Sequence, residues 1–322
     1  MQATSAALRP MGPGDVIDRA FRMYRSHALG LLGLTAIPLA VLVAGLLLLA
    51  ALSVAVWTSL GIGWLSADST TPAAPAAPRS TPGLAGLLAD LLLVAGFVPV
   101  FVLPIGAIIA GAAIDAAAAT HLGQSCRVAS SLGIGLRTAP RLLLTGLTLF
   151  LCLFLVAFIA VAIFAGIEID RNEPLFLVAT VVYLFVVLYL SSSWFVAPAI
   201  ATIERHGPIS SLRRSWQLAR GFHWRIGGLG VLLVVLFGVP FVFGALVAAF
   251  LDIALGRPHI FDSAVMFFVL VFAMILAWLP LFFGAMTVVY YDLRVRKEGF
   301  DLQLAAQAMS SPTVSGPAGK RP

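Results

Sequence analysis

Pro208-Ile-Ser-Ser-Leu-Arg-Arg-Ser-Trp-Gln-Leu-Ala-Arg-Gly-Phe-His-Trp-Arg225 is the most basic stretch of the chain, and it leads directly into a long apolar run. Near the start of the chain, Arg19-Ala-Phe-Arg-Met-Tyr-Arg25 resembles a part of it, Arg214-Ser-Trp-Gln-Leu-Ala-Arg220. Both stretches combine an apolar helical stripe with arginines on other faces, a pattern typical of helices that lie in a membrane interface. The sequence therefore predicts two basic surface helices, each leading into a pair of membrane spans.

The two apolar stripes are short and leave the arginines outside them. The first consists of Val16, Ile17, Ala20, Phe21 and Tyr24. The second consists of Ile209, Leu212, Trp216 and Ala219, with Arg213, Arg214 and Gln217 on other faces. We expect the guanidinium groups of both helices to face lipid phosphates.

The composition excludes a soluble globular domain. Of the 322 residues, 61% are hydrophobic and only 11% are charged, and the mean hydropathy is +1.03. Soluble domains carry about 25% charged residues. The formal net charge of +6 would suggest nucleic acid in a soluble chain, but here the basic residues lie between apolar runs. We therefore expect a membrane and no nucleic acid as the partner of these charges.

Apolar runs of about 20 residues, the length that crosses a bilayer as a helix, recur along the chain. The predicted spans are 29–57, 87–114, 142–167, 175–200, 226–251 and 264–289. The first run is too long for the apolar core of a signal peptide, so we expect it to remain as a membrane anchor. The predicted fold class is an all-α polytopic membrane protein with six spans and basic amphipathic interfacial helices.

The distribution of lysine and arginine predicts the orientation. Seventeen of these residues lie on one predicted side, namely Arg9, Arg19, Arg22, Arg25, Arg127, Arg137, Arg141, Arg205, Arg213, Arg214, Arg220, Arg225, Arg294, Arg296, Lys297, Lys320 and Arg321. Three lie on the other side, namely Arg79, Arg171 and Arg257. By the positive-inside rule, we expect both termini to be cytoplasmic. Only two of the 20 basic residues, Lys297 and Lys320, are lysine, a bias that indicates a bacterial genome, so we expect the membrane to be a bacterial plasma membrane.

The segments between the spans differ in composition. Residues 58–83 are rich in proline and alanine, and residues 310–322 in proline, glycine and serine, so we expect both to be disordered. Residues 125–141 are predicted as a further surface segment, with Arg127, Arg137 and Arg141. Residues 300–309 are predicted as a short amphipathic piece.

An internal repeat is predicted within a single membrane domain, residues 1–309. Each unit consists of a basic surface segment, a span, an outer turn and a second span that ends in an acidic residue followed by glycine. The three units are 14–123, 124–207 and 208–299. Such parallel repeats occur in transporters, but plain duplication also produces them.

Three motifs carry a resemblance to a known family. They are Leu8-Arg-Pro10 with Gly14-Asp-Val-Ile-Asp-Arg-Ala-Phe-Arg-Met-Tyr-Arg25, then Gly207-Pro-Ile-Ser-Ser-Leu-Arg-Arg-Ser-Trp-Gln-Leu-Ala-Arg-Gly221, and Tyr290-Tyr-Asp-Leu-Arg-Val-Arg-Lys-Glu-Gly-Phe-Asp301. In this order they resemble bacterial, actinobacterial-type proteins that carry the glycerophosphoryl diester phosphodiesterase membrane domain. The resemblance covers nearly the whole chain and implies a membrane domain of that kind.

The same resemblance implies no enzymatic activity for this chain. The family takes its name from proteins in which the membrane domain is fused to a phosphodiesterase barrel, and such a barrel needs about 250 residues of alternating strand and helix. The residues after the last surface segment are far too few for it. His206-Gly207 resembles the barrel's catalytic histidine only superficially, because acidic metal ligands do not accompany it.

Other polar residues in or near the spans have structural interpretations. Asp90 and Asp115 are about 38 Å apart along a helix, more than the apolar thickness of a bilayer, so we expect them to mark its two surfaces. The alternative for Asp90 is ion or proton handling. We interpret the polar patch Ser191-Ser-Ser-Trp194 as part of helix–helix hydrogen bonding or of back-bonding to carbonyls. Neither Cys126 nor Cys152 belongs to a metal or disulfide pattern. No catalytic residue, metal site or cofactor is predicted.

The basic residues with interleaved aromatic side chains are the best candidate functional surface. Near an anionic leaflet, each of these charges contributes about 1 kcal/mol of attraction. The candidate contacts to lipid headgroups are Arg19, Arg22, Arg25, Arg213, Arg214, Arg220 and Trp216. The alternative is that these residues only fix the topology.

Two hypotheses about function remain open from the sequence. The first is a non-enzymatic scaffold or accessory subunit of a cell-envelope complex, with a membrane protein as partner. The second is a module that transports or handles a lipid or small amphiphile, with anionic membrane lipids as partners. The first predicts protein partners and tolerance of changes at the prolines that are expected to kink spans two, four, five and six. The second predicts a polar path between spans.

Overall fold

The computed structural model describes residues 12–59, 97–124, 127–169, 173–254, 260–303 and 306. Several sequence-based predictions lie outside these residues. They concern the loop from residue 60 onward, Asp90, Cys126 and the tail at 310–322.

All regular structure in the described part of the chain is helical. The helices in chain order are α1 (Pro13–Ser26), α2 (Ala28–Ser59), α3 (Leu103–His121), α4 (Val128–Ile169), α5 (Glu173–Trp194), α6 (Ala197–Ile203), α7 (Pro208–Ala219), α8 (His223–Ala254) and α9 (Ile260–Glu298). A π-helical turn, Val98–Val102, precedes α3.

Six helical segments within the described residues are long and apolar enough to cross a membrane. They are Ala28–Leu49, Val100–His121, Val128–Ala165, Pro174–Ile203, His223–Val247 and Val271–Glu298. The fourth includes both α5 and α6, which a turn at Phe195 and Val196 separates. The predicted fold class is confirmed: this is an all-α, multi-spanning membrane protein.

The second and sixth spans extend beyond their predicted ends. Span two was expected to end at Ile114, but α3 continues to His121, and Asp115 lies inside the helix as the acceptor of a 2.8 Å hydrogen bond from the Ser131 hydroxyl. Span six was expected to end at Val289, but α9 continues to Glu298. Ion pairs one helical turn apart stabilise its last turns, such as Arg294 with Glu298 at 3.1 Å.

The predicted surface segment at 125–141 is, from residue 128 onward, continuous with the helix of the third span. Residues 128–141 form the first turns of α4, which continues through Pro140 into the third span. Proline removes one backbone hydrogen bond from a helix. Thr138 and Leu142, on both sides of Pro140, lie close to Gly111 of α3.

The second basic surface helix is shorter than predicted. It was expected to span Pro208–Arg225, but α7 ends at Ala219. Gly221 adopts a positive φ of 86°, which glycine does without steric cost, and α8 begins at His223. Arg225 therefore belongs to the first turn of a span and not to the surface helix.

The largest apolar core lies at one end of the bundle, where α1 and α7 pack against the start of α8 and the last turns of α9. We call this region the basic end. Its buried side chains include Val16, Ile114, Val196, Ile200, Leu218, Ile226, Leu281, Tyr290 and Leu293. Away from it, apolar side chains such as Phe154, Leu184 and Phe243 are mostly exposed, as expected of surfaces that face lipid tails.

The even-numbered spans share one feature at their ends. Each is terminated by a residue in the left-handed conformation: Gly123 with φ of 76°, Arg205 with φ of 56° and Gly299 with φ of 59°. The left-handed conformation costs arginine about 1–2 kcal/mol, whereas glycine adopts it without this cost. The shared ending is compatible with units 14–123, 124–207 and 208–299, and the repeat itself stays a prediction.

Candidate functional site

Helix α7 packs on the protein by a face that only partly overlaps its predicted apolar stripe. Leu212, Leu218 and Ala219 are buried, and so are the small polar residues Ser211 and Ser215. The Ser215 hydroxyl donates a 2.8 Å hydrogen bond to the backbone carbonyl of Ser193 in α5. Ile209 was predicted to share the stripe of Leu212, but its side chain is 76% exposed. The face that carries Ile209 is therefore exposed.

Arg214 is held inside the protein by two carboxylates. Its Nε donates to Glu204 at 3.3 Å, and its Nη2 pairs with Glu298 at the end of α9. The Tyr290 hydroxyl donates to the same Glu204 carboxylate at 2.8 Å. Burial alone would lower the pKa of Arg214, but the hydrogen bonds and charges of Glu204 and Glu298 outweigh burial and raise it. Arg214 therefore joins α7 to α6 and α9.

A second ionic cluster joins α8 to α9. Asp292 is only 3% exposed and lies 3.0 Å from Arg225 and 3.0 Å from Arg296. A buried carboxylate needs such partners, because an unpaired charge in a protein interior is costly. These arginines are thus engaged in holding the basic end together.

Arg213 and Arg220 lie on the exposed side of α7. Neither forms an ion pair with a carboxylate of the described residues. Both line an open cleft of about 410 Å³, which we call the α7 cleft. Its remaining lining consists of Trp194, Ile209, Leu212, Trp216 and Gln217. The cleft combines two exposed cations with a wide apolar and aromatic wall.

Aromatic neighbours fix the position of Trp216 in this cleft. Its ring centroid is 5.6 Å from that of Tyr189, 6.2 Å from that of Trp194 and 6.1 Å from that of His223. Such aromatic contacts stabilise one arrangement of the rings. The cleft wall is therefore built by α5 and α7, and His223 at the start of α8 supports Trp216 from outside the lining.

The arginines of α1 lie at a second cleft. It has a volume of about 320 Å³, and we call it the α1 cleft; its lining is Arg19, Arg22, Met23, Ser26, His27, Thr120 and His121. The Nε of Arg19 donates to Nδ1 of His121 at 3.3 Å. Burial, and then the nearby charge of Arg22, lower the pKa of Arg19. Arg25 is exposed and does not line this cleft.

The structure thus divides the seven predicted contact residues among four environments. Arg213, Arg220 and Trp216 meet at the α7 cleft, Arg19 and Arg22 meet at the α1 cleft, and Arg25 lies apart. Arg214 is engaged by carboxylates. Sequence reasoning missed Trp194 and His121 as cleft residues. Trp194 ends α5 inside span four, and His121 lies at the end of span two.

The remaining polar candidates pack against neighbouring groups. The hydroxyls of Ser192 and Ser193 donate to the carbonyl of Tyr189 at 2.8 and 2.7 Å, which confirms the interpretation of this patch as part of helix packing. His206 pairs with Glu204 at 3.3 Å. Among the residues that the structure describes, no group of three His, Cys, Asp or Glu side chains is placed to bind a metal ion.

Comparison with family models matches residues 85–295, which is more than half of the chain. The match includes the second to fifth spans, most of the sixth, α7 and the whole lining of the α7 cleft. It does not bear on the resemblance to the glycerophosphoryl diester phosphodiesterase membrane domain, which stays a prediction. Comparisons with curated proteins and with solved structures find no match. By its family match, this chain belongs to the family described as Domain of unknown function (DUF8558).

Proposed function

We propose that this protein is a non-enzymatic membrane protein that binds the headgroups of anionic phospholipids at its basic end. The observation that carries the proposal is the α7 cleft, in which Arg213 and Arg220 lie beside Trp194 and Trp216. A headgroup phosphate would be held by the two guanidinium groups, and the upper part of an acyl chain would lie against Ile209.

The chemistry of the cleft suits the boundary between water and lipid. Tryptophan is enriched at that boundary because its ring is apolar and its N–H is polar. Arginine retains its charge there and presents a planar fork of donors that matches phosphate oxygens. The cleft lies on a surface helix that leads into span five, so its arginines are at the depth of the phosphates.

Binding at the surface is better supported than passage of a lipid through the bundle. Transport predicts a polar path between spans, but the buried hydroxyls of Thr138, Thr145 and Thr202 donate to carbonyls of their own helices. Within the described residues, these hydroxyls offer a passing headgroup little hydrogen-bonding capacity. We therefore favour a module that handles lipid at one surface.

The same proposal places the protein in a bacterial plasma membrane, with the basic end and both termini in the cytoplasm. Its support is the excess of seventeen basic residues over three between the two predicted sides. Arg19, Arg214 and Arg294 lie on α1, α7 and α9, which pack together at the basic end. The inner leaflet carries the anionic lipids that such a surface attracts.

Brominated lipids test the proposal because bromine quenches tryptophan fluorescence on contact. The full chain is reconstituted in zwitterionic nanodiscs that contain a small fraction of brominated phosphatidylglycerol or, separately, brominated phosphatidylcholine. We expect stronger quenching by the anionic lipid, and we expect Arg213→Gln with Arg220→Gln to remove the difference. The matched control is Arg137→Gln with Arg141→Gln, two exposed arginines that do not line the cleft. Equal quenching by both lipids in the unmodified protein would refute the proposal.

A second candidate function is that of a scaffold or accessory subunit. The observation that favours it is a row of exposed, stacked rings on α4, where Phe150, Phe154 and Phe158 follow one another with centroid separations of 5.8 and 6.5 Å. An apolar helix of a partner protein would bury this row. Purification from native membranes in mild detergent tests it, since a partner must then appear in fixed stoichiometry.

A further inference from the structure

The α1 cleft differs from the α7 cleft in its elements and in its chemistry. It lies between α1 and the last turn of α3, and its described lining contains no tryptophan. Its most unusual feature is a half-buried arginine whose described hydrogen-bond partner is a histidine and not a carboxylate. A ligand of this second cleft would bind independently of any lipid at α7, because the two clefts share no lining residue.

The charge of Arg19 is not balanced within the described part of the protein. No carboxylate there forms an ion pair with Arg19 or Arg22, and the two guanidinium groups lie one helical turn apart on the same cleft. Burial and mutual repulsion both act against the charged form of Arg19. Arginine nevertheless stays charged in proteins, so an anion in the cleft would relieve both costs.

His121 determines where the Arg19 guanidinium lies. The histidine is only 5% exposed, and its ring stacks on Tyr291 with a centroid separation of 5.0 Å and an interplanar angle of 15°. Because arginine can only donate, Nδ1 of His121 must accept, and a neutral ring then carries its proton on Nε2. This arrangement uses Nε of Arg19 and leaves the two Nη groups for a ligand.

We infer that the α1 cleft is a binding site for a phosphate group, with Arg19 and Arg22 as its ligands and His121 as the residue that positions Arg19. Two neighbouring guanidinium groups match the tetrahedral oxygens of phosphate, which accept paired hydrogen bonds from each fork. The cleft adjoins the start of span one and the end of span two, where both a lipid phosphate and a soluble phosphate ester have access.

Titration of the purified full chain tests this site and identifies the source of the phosphate. One arm uses glycerol 3-phosphate in a zwitterionic detergent, and the other uses short-chain phosphatidic acid, both followed by calorimetry. We expect saturable binding in at least one arm, and Arg22→Gln should weaken it by about tenfold or more, as for the loss of charge-assisted hydrogen bonds. Arg25→Gln, on the same helix but outside the cleft, should leave it unchanged.

His121 requires a test that separates positioning from folding. His121→Phe keeps an aromatic ring against Tyr291 but removes the acceptor for Arg19, so it should weaken phosphate binding. His121→Asn supplies an acceptor near the place of Nδ1 and should restore part of the affinity. Arg137→Gln, an exposed arginine outside both clefts, should have no effect. The titrations are carried out in a background with Arg213→Gln and Arg220→Gln, which keeps failure at this cleft distinct from failure at the α7 cleft. Absence of saturable binding in both arms, or equal affinities of the Arg22→Gln and Arg25→Gln variants, overturns the inference.

Discussion

At the scale of single residues, the arginines of the basic end fall into two groups. Arg214, Arg225, Arg294 and Arg296 pair with carboxylates and hold helices together. Arg213, Arg220, Arg19 and Arg22 have no such partner among the described residues and line the two clefts. Arginine therefore stabilises the fold in the first group and is available to bind a ligand in the second.

The neighbours Arg213 and Arg214 provide the sharpest comparison between these groups. Arg214→Gln leaves Glu204 and Glu298 without their shared cation, so we expect the free energy of unfolding to fall by about 1–3 kcal/mol. Arg213→Gln removes an exposed charge and should change the free energy of unfolding by less than about 0.5 kcal/mol. Thermal unfolding of both variants in the same detergent measures the difference. Equal stabilities would contradict the assignment of Arg214 to the structural group.

The sequence identifies the basic clusters but does not distinguish these two arginines. Both occupy the same short helix, and both lie outside the predicted apolar stripe. Their difference depends on Glu298, which is 84 positions beyond Arg214 and reaches it only because α9 continues to that residue. A long-range contact of this kind leaves no local pattern.

At the scale of helices, close contact between α3 and α4 is the main feature of the packing. Gly135 and Gly111 lie where the helices approach, and a side-chain carbon on Gly135 would be 2.6 Å from the backbone oxygen of Ile108. On Gly111 it would be 2.6 Å from the Thr138 hydroxyl. Small residues permit this approach between spans, because no side chain then separates the backbones.

Gly135→Ala should therefore destabilise the protein, since a backbone oxygen cannot move away as a flexible side chain does. We expect a loss on the order of 1–3 kcal/mol, the usual cost of an overpacked interior. Gly133→Ala is the matched control, because no heavy atom lies within 4 Å of the added carbon and alanine favours the helix. Unfolding temperatures in detergent provide the measurement. A Gly135→Ala variant as stable as Gly133→Ala would show that α3 and α4 are farther apart than the structure places them.

Sequence reasoning found every span but placed several helix ends wrongly. The runs of apolar residues are long enough to identify spans by composition alone. The ends depend on tertiary partners: Asp115 looks like the end of span two, but Ser131 of the next helix accommodates it inside α3. The end of α7 depends on the positive φ of Gly221. Basic residues on both sides of this glycine suggest one continuous helix, so the sequence does not reveal the break.

At the scale of the whole molecule, the protein is compact at its basic end and open towards lipid elsewhere. Ion pairs and buried tyrosines join α6, α7, α8 and α9 there, while the middle of α4, α5 and α8 exposes apolar side chains. The described residues contain six candidate spans, and an even number of spans predicts that both termini lie on one side of the membrane. The excess of arginine predicts which side that is.

Labelling of single cysteines with a membrane-impermeant maleimide tests this topology in cells. In a background with Cys126→Ser and Cys152→Ala, we expect Arg25→Cys and Gln303→Cys to react only after the cells are opened. Thr70→Cys lies in the loop between the first two predicted spans and should react in intact cells. Labelling of Arg25→Cys and Gln303→Cys from opposite sides would contradict an even number of spans.

Native mass spectrometry of the protein released from its own membranes in mild detergent tests the central claim most directly. The unmodified protein should carry a discrete anionic phospholipid, and Arg213→Gln with Arg220→Gln should lose it while Arg137→Gln with Arg141→Gln retains it. This result would identify the lipid class bound at the α7 cleft. A protein that carries no anionic lipid, or that carries it equally in all three forms, would contradict the claim, and a stoichiometric protein in its place would establish the accessory-subunit function instead.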